Sequence, residues 1–210
     1  AGLKVLAVQG GSLPGIVTVA RPGRRLDDLK GLRLRAPTEL LTVLGSLGAD
    51  PVNMPMGEVY SAMTKGVIDG VVAPADTLRA LHFAEVASHF NTLAIPRGAY
   101  PARAMGESRC RRLSERHRAV LEAGTPVWEA ALARETRAAQ AKGFDEAQAK
   151  RITIVAMPPE EQARFDALYL RDAEVNARAL SRFGIDGMRA FRAARAGVKA
   201  RDAVSCGASA

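Results

Sequence analysis

In the stretch GLRLRAP, residues 31–37, Arg33 and Arg35 alternate with Leu32 and Leu34, and the run stops at Pro37. The strand period of two sends the leucines to one face and both guanidinium groups to the other. A planar guanidinium grips a carboxylate through two parallel hydrogen bonds. The place of Arg35 sharpens that chemistry. It ends a strand just before a Pro-initiated helix, and in open parallel sheets ligands lodge at the carboxyl ends of the strands. Backbone N–H groups at the start of the following helix add positive potential there. Arg35 is thus a candidate anion-binding residue, and the alternative use of the same side chain is a surface ion pair.

The other reactive side chains form no comparable pattern. Catalysis by nucleophile and base, or by a metal cluster, needs more than His82, His89 and His117 provide. His82 and His89 fall two turns apart on one expected helix, too distant to share a metal without a third element. Glu58, Asp69, Asp76 and Glu85 have no spacing that singles out a catalytic pair, and salt bridges or helix-terminus charges account for them. Gly10 and Gly15 span G-x-x-x-x-G, but Ile16 and Val17 stand where a phosphate-binding loop needs Lys and Ser or Thr. Cys110 and Cys206 are too few and too far apart for a CxxC metal site, and read as free thiols. No catalytic residue, metal or cofactor is expected.

The elements that must position Arg35 follow from the surrounding pattern. LKVLAVQ, residues 3–9, reads as a buried strand and IVTVA, residues 16–20, as a second, separated by GGSLPG. RRLDDLKG gives a short helical turn. After the strand at 32–36, Pro37 suits an early helical position, Leu40, Leu41, Leu44 and Leu47 have helical spacing, and Gly48 caps the end. PVNMP is a short strand. GEVYSAMTKG is a helix with Val59, Tyr60 and Met63 on one side, closed by Gly66, and VIDGVVAP is another strand. That β-α-β-α-β rhythm implies parallel strands. A helix through TLRALHFAEVASH, strands near FNTLAI and YPARAMG, and a long helical region from about 113 to 150 follow, with Gly124, Pro126 and Gly143 as kinks or breaks. RITIVAM is a last strand, and two helices flanking FGIDG complete the ordered chain.

The 210 residues are 48% hydrophobic, enough for one large domain or two small lobes. No apolar run approaches a membrane span, and the start, AGLKVLAVQGG, lacks the form of a signal peptide. The formal net charge of +8 invites a nucleic-acid reading. Against it, the positive charges are interleaved with acids, as in ARETRAAQAKGFDEAQAKR, and only 5% of residues are aromatic.

DDLKGLRLRAP, followed by LGADPVNMPMGEVYSAMTKGVIDG, resembles the extracytoplasmic solute-binding proteins of tripartite ATP-independent periplasmic (TRAP) transporters, the dicarboxylate-binding family. The ordered pattern Arg-x-Pro, L-G-A-x-P-V-x-M-P, E-V-Y-x-A and G-V-I-D-G carries the likeness, which continues more weakly to about residue 198. The resemblance implies that Arg35 clamps a ligand carboxylate, that Arg33 is the neighbouring non-clamping position, and that Met56 forms a pocket wall. Ala73 and Pro74 fall where the family commonly has Asn-Pro, so the usual ligand carboxamide is replaced by a methyl group. A second basic position of the family falls near Gly15.

The expected fold is therefore α/β, a periplasmic-binding-protein-like two-lobe fold with parallel-rich sheets and long C-terminal helices, one lobe incomplete because about a third of the usual family chain is absent from its start. Residues 1–30 are expected to give strands of the incomplete lobe and hinge, and 31–90 the α/β ligand-binding lobe. Residues 91–200 would supply hinge strands, long helices and the remainder of both lobes, and 201–210 a flexible tail. The resemblance implies a periplasmic protein that binds a small organic acid and delivers it to the membrane permease subunits of a TRAP transporter. It implies no enzymatic step and no nucleic-acid partner. Self-association, or a missing N-terminal complement, would cover the incomplete lobe. An enzyme on a related α/β fold and a basic interaction module are the alternative classes.

Overall fold

The structure is a computed structural model that describes residues 2–8, 12–96 and 102–205, with side chains through residue 197. In chain order the strands and helices are β1 (Leu3–Val8), β2 (Gly15–Thr18), β3 (Arg33–Arg35), α1 (Leu41–Ser46), β4 (Asp50–Val52), α2 (Met56–Thr64), β5 (Gly70–Ala73), α3 (Asp76–Ala80), β6 (His89–Asn91), β7 (Ala102–Gly106), α4 (Glu107–Arg112), α5 (Glu115–Ala149), β8 (Thr153–Val155), α6 (Pro159–Ala179) and α7 (Gly187–Ser205). Two compact units result, residues 1–158 and 159–210.

The first unit is built on a six-stranded sheet in the order β4-β3-β5-β2-β6-β8. β3 runs parallel to both β4 and β5, as the β-α-β-α-β pattern predicts. β2 enters antiparallel between β5 and β6, and β8 closes the far edge parallel to β6. The sheet is thus mixed and parallel-rich. It also crosses the division expected at residue 30, since β2 lies in the same sheet as β3 to β5.

Register fixes which side chains share a face. Val52, Arg35, Val71, Val17 and Phe90 stand in one row across five strands. Val17, Val71 and Phe90 belong to the main apolar core, with Val59 and Met63 of α2, Leu78 of α3, Phe83 and Ala147 of α5. Leu34 points to the opposite face and is fully buried. The alternation of GLRLRAP therefore holds, but both faces are covered, and Arg35 sits at the margin of a core rather than on an open surface. Left-handed glycines end the turns that reverse the chain after α1 and α2, Gly48 at φ +81° and Gly66 at φ +66°.

β1 pairs only with β7, antiparallel, in a separate two-stranded ribbon. Its expected burial is not found: Leu3, Val5 and Val8 are 63%, 54% and 52% exposed. One side of the ribbon lies along α5, where Thr125 donates to the Leu6 carbonyl, Glu129 accepts from the Val8 amide at 3.0 Å, and Arg103 stacks 5.1 Å above Trp128.

The single helix expected through residues 77–89 is broken. α3 stops at Ala80, and His82 adopts the left-handed conformation at φ 58° before a 3-10 turn at Phe83–Glu85. That turn buries Phe83 completely. α5, in contrast, runs through Gly124, Pro126 and Gly143 without interruption. Gly143 is a packing residue, because a Cβ there would strike the Ala75 carbonyl and come within 2.8 Å of Asp76 Cα. Pro37 precedes the helical segment instead of starting it, with ψ at 155°.

In the second unit α6 and α7 pack together after a 3-10 turn at Leu180–Phe183 and a left-handed Gly184. Gly187 lets α7 approach the Ala177 carbonyl directly. α7 continues to Ser205, so helix occupies the first half of the expected flexible tail. The rest of that tail, Cys206 included, lies outside the described residues.

Candidate functional site

β3, β4 and β5 run parallel and end together at Arg35, Val52 and Ala73. Antiparallel β2 begins at the same edge, Gly15 facing Ala73. The edge therefore gathers Arg35, Met54 and Met56 after β4, Ala73, Pro74 and Gly15. Each is put there by a strand terminus, the position that serves ligands in sheets of this kind.

Arg33 and Arg35 differ sharply although only Leu34 separates them. Nε of Arg33 donates to Asp50 at 2.7 Å, and its backbone amide donates to the Asp69 carboxylate at 2.7 Å. Its hydrogen bond to Asp50 raises its pKa further, and the pair is exposed to solvent. Arg35 is half-buried, and its Nε donates to the Met54 carbonyl at 3.1 Å. Burial pushes its pKa down, with Glu39 opposing the effect from a distance. Among the described residues no carboxylate lies within 4 Å of its guanidinium. Arginine stays charged regardless. A half-buried cation with N–H donors left over and no carboxylate in direct contact is matched by an anion that supplies both charge and acceptors.

The carbonyl of Met54, two residues before α2, orients Nε of Arg35. Met56, the first residue of α2, packs against the core with Met54. Ala73 is 1% exposed and Pro74 half-buried. A depression of about 490 Å³ between α2 and α3 includes Met56, but its other walls are Tyr60, Leu81, His82, Phe83 and Glu85. It does not reach Arg35, Ala73 or Pro74.

That depression holds the polar cluster most visible in the structure. Glu85 accepts from the Tyr60 hydroxyl at 3.2 Å and faces Nδ1 of His82 at 3.2 Å. The bond to Glu85 raises the Tyr60 pKa. His82 and His89 are on different elements, so their expected placement on one helix is corrected. The break before Phe83 separates them. No group of three or more potential metal ligands occurs among the described residues. Cys110, in α4, is a free thiol.

Sequence reasoning missed what surrounds Gly15. A Cβ at that position would fall onto the Asn91 carbonyl and within 2.8 Å of the Phe90 ring. Phe90 in turn meets Phe144 of α5 edge to face, centroids 5.7 Å apart. The only sequence signal was the glycine itself, which often marks close approach of another chain segment within a strand.

The fold is α/β, built on a mixed, parallel-rich sheet with a half-buried arginine at its strand termini. The sequence model of the bacterial extracellular solute-binding proteins, family 7 (DctP), matches residues 1–172, and the chain belongs to that family. A TRAP solute-binding protein of Rhodoferax ferrireducens, solved with copurified benzoate, superposes with a TM-score of 0.80 at 26% identity, covering 97% of this chain and 65% of that one. An open TRAP periplasmic protein of Desulfovibrio salexigens gives 0.79 at 26% identity, over 91% of this chain and 60% of that one. The sialic acid-binding periplasmic protein SiaP of Vibrio cholerae is 37% identical over 71 residues, 33% of this chain and 22% of its own length. A solute-binding protein of Roseobacter denitrificans is 36% identical over 80 residues, 37% of this chain and 25% of its own length. The chain thus spans less than two thirds of these relatives. Among the described residues no helix is long and apolar enough to cross a membrane.

Proposed function

We propose that this protein is the periplasmic solute-binding component of a TRAP-type transporter and takes up a small organic anion through Arg35. The observation that carries the reading is the half-buried guanidinium at the end of β3, oriented by the Met54 carbonyl and left without a carboxylate partner. Arg33 serves as the internal contrast, already bound to Asp50. In this reading Met56 walls the site, and Ala73 and Pro74 form its floor beside the clamp. The membrane permease subunits of the transporter receive the ligand, and no bond is made or broken. The relatives support an organic acid as ligand: one was solved with benzoate, and a marine metagenome TRAP protein, 25% identical, was solved with 3-hydroxybenzoate.

Calorimetry on the protein at its full natural length tests the clamp. Arg35→Ala is expected to weaken carboxylate binding by about 2–5 kcal/mol, because the ligand charge is left buried and unpaired. Arg33→Ala, which removes an exposed ion pair, is expected to change binding by less than about 1 kcal/mol. Equal effects of the two substitutions would refute the assignment.

A further inference from the structure

We propose that the hairpin of α6 and α7 is a docking surface for an anionic phospholipid bilayer, a contact that needs neither Arg35 nor a bound ligand. The sequence concentrates positive charge here. Residues 175–201 hold seven Arg or Lys and a single acid, Asp186, whereas the whole chain has 30 basic residues to 22 acidic ones. That acid is committed at the start of α7, where its carboxylate accepts from the Arg189 amide at 2.9 Å. Glu174, the last acid before the stretch, pairs with Arg178. Among the described residues no carboxylate lies within 4 Å of the guanidinium of Arg182, Arg189, Arg192 or Arg195.

The same hairpin exposes apolar groups beside those cations. After α6 the chain makes its 3-10 turn at Leu180–Phe183 and reverses at Gly184, so Phe183 and Ile185 belong to one short connection. Phe183 is 65% exposed and Ile185 50%. A groove of about 440 Å³ between the two helices is lined by Met188, Phe191, Arg192, Arg195 and Ala196 of α7 and by Glu174 of α6. The spacing of Met188, Phe191, Arg192 and Arg195 puts all four on one face of α7. Both phenylalanine rings carry a guanidinium: Arg182 lies 4.7 Å from the Phe183 centroid and Arg195 5.8 Å from that of Phe191.

Arginine next to an exposed apolar side chain fits the boundary zone of a bilayer, where the guanidinium meets phosphate oxygens and the apolar group enters the edge of the acyl chains. A nucleic acid or an acidic protein segment would satisfy the cations and leave Phe183 and Ile185 without an apolar partner. The contact is peripheral, since among the described residues no helix is long and apolar enough to cross a membrane. The unpaired arginines supply the charge attraction, and the turn supplies the apolar area that a purely ionic contact lacks.

The test is co-sedimentation of the protein at its full natural length with vesicles of equal parts phosphatidylglycerol and phosphatidylethanolamine, against vesicles of phosphatidylcholine. Binding to the anionic vesicles is expected to exceed binding to phosphatidylcholine about tenfold or more at low ionic strength, and to fall steeply toward about 0.5 M salt. Arg192→Glu with Arg195→Glu should weaken it about tenfold or more. Phe183→Ser with Ile185→Ser should weaken it about fivefold or more, through lost apolar burial. All four side chains are solvent-exposed, so the two pairs keep the fold and test charge and apolar contact separately. Arg35→Ala should bind vesicles as the parent protein does, which separates this proposal from the clamp. Equal binding to both kinds of vesicle, or none to either, overturns the proposal, and so does anionic-vesicle binding that both double variants retain. Vesicle binding that ignores the serine pair, with duplex DNA bound as tightly, overturns the choice of a bilayer in favour of a general polyanion patch.

Discussion

The six-stranded sheet and the β1–β7 ribbon have similar apolar strands and opposite fates. In the sheet, Ile16, Val17, Val71 and Leu34 are fully buried, so side chains on both faces are covered. In the ribbon, the equally apolar Leu3 and Val5 are more than half exposed, and the described contacts are those to α4 and α5 on one side. Strand propensity was the same in both. What differs is the number of partners, since two strands alone bury too little to hold their own register without a packed face. The arginine proposed to bind ligand stands in the sheet, at the end of β3, where packed strands on either side fix its backbone.

The largest expected difference between the regions is in the core. Phe83 is fully buried in the turn that replaces the expected helix, so Phe83→Ala should cost about 3–5 kcal/mol in denaturant unfolding, the range for a buried aromatic truncated to alanine. A loss below about 1 kcal/mol would mean that the 3-10 turn is not part of the cooperative unit. Next is Gly15→Ala, whose methyl group meets the Asn91 carbonyl and the Phe90 ring. Overpacking of this kind costs about 1–3 kcal/mol. If Gly15→Ala were neutral, Phe90 would not be held over position 15, and the sheet edge would be looser than the ribbon comparison requires.

Much of this was legible in the sequence. The spacing in GLRLRAP set Arg33 and Arg35 on one face, and the Pro and Gly punctuation marked the helices around them. The parallel relation of β3, β4 and β5 followed from short crossovers. The insertion of β2 between β5 and β6 was not legible, because local periodicity carries no information on which strand pairs with which. Nor was the exposure of β1, since an apolar run has the same appearance whether or not a second layer covers it. The difference between Arg33 and Arg35 needed the positions of Asp50 and Met54, which only pairing with β4 reveals. His82 was hidden for a related reason: its helical neighbours predict continuation, and the left-handed turn is selected by the burial of Phe83.

A smaller effect sharpens the same contrast from the side of the sheet. His89 on β6 is partly buried, and among the described residues its Nδ1 has no hydrogen-bond partner. Burial pushes its pKa below the ordinary 6.5, and Arg24 adds to the shift. The unfolded chain therefore binds the proton more readily than the folded one. Stability is expected to be full above about pH 6.5 and to fall as pH drops through that value, levelling off below the folded pKa. His89→Leu should flatten this slope in chemical unfolding measured between pH 5 and 8, and an unchanged slope would assign it to other groups.

The smallest expected effect on stability belongs to the ribbon. Leu3→Lys and Val5→Lys exchange exposed apolar side chains for charged ones on a face that the described residues leave open. Each should shift the unfolding free energy by no more than about 0.5 kcal/mol, as for other exposed positions. The same substitutions act strongly on association, because contiguous apolar strand surface favours contact with another copy or a covering segment. Sedimentation of the 210-residue chain should accordingly show self-association that the lysines reduce. Backbone amides of β1 and β7 should also exchange with solvent faster than those of β2 and β5, since fewer packed groups must open to release them. A ribbon that lost as much stability as Gly15→Ala, or exchanged as slowly as the sheet, would be covered on both faces, and the two regions would not differ in the way their exposure indicates.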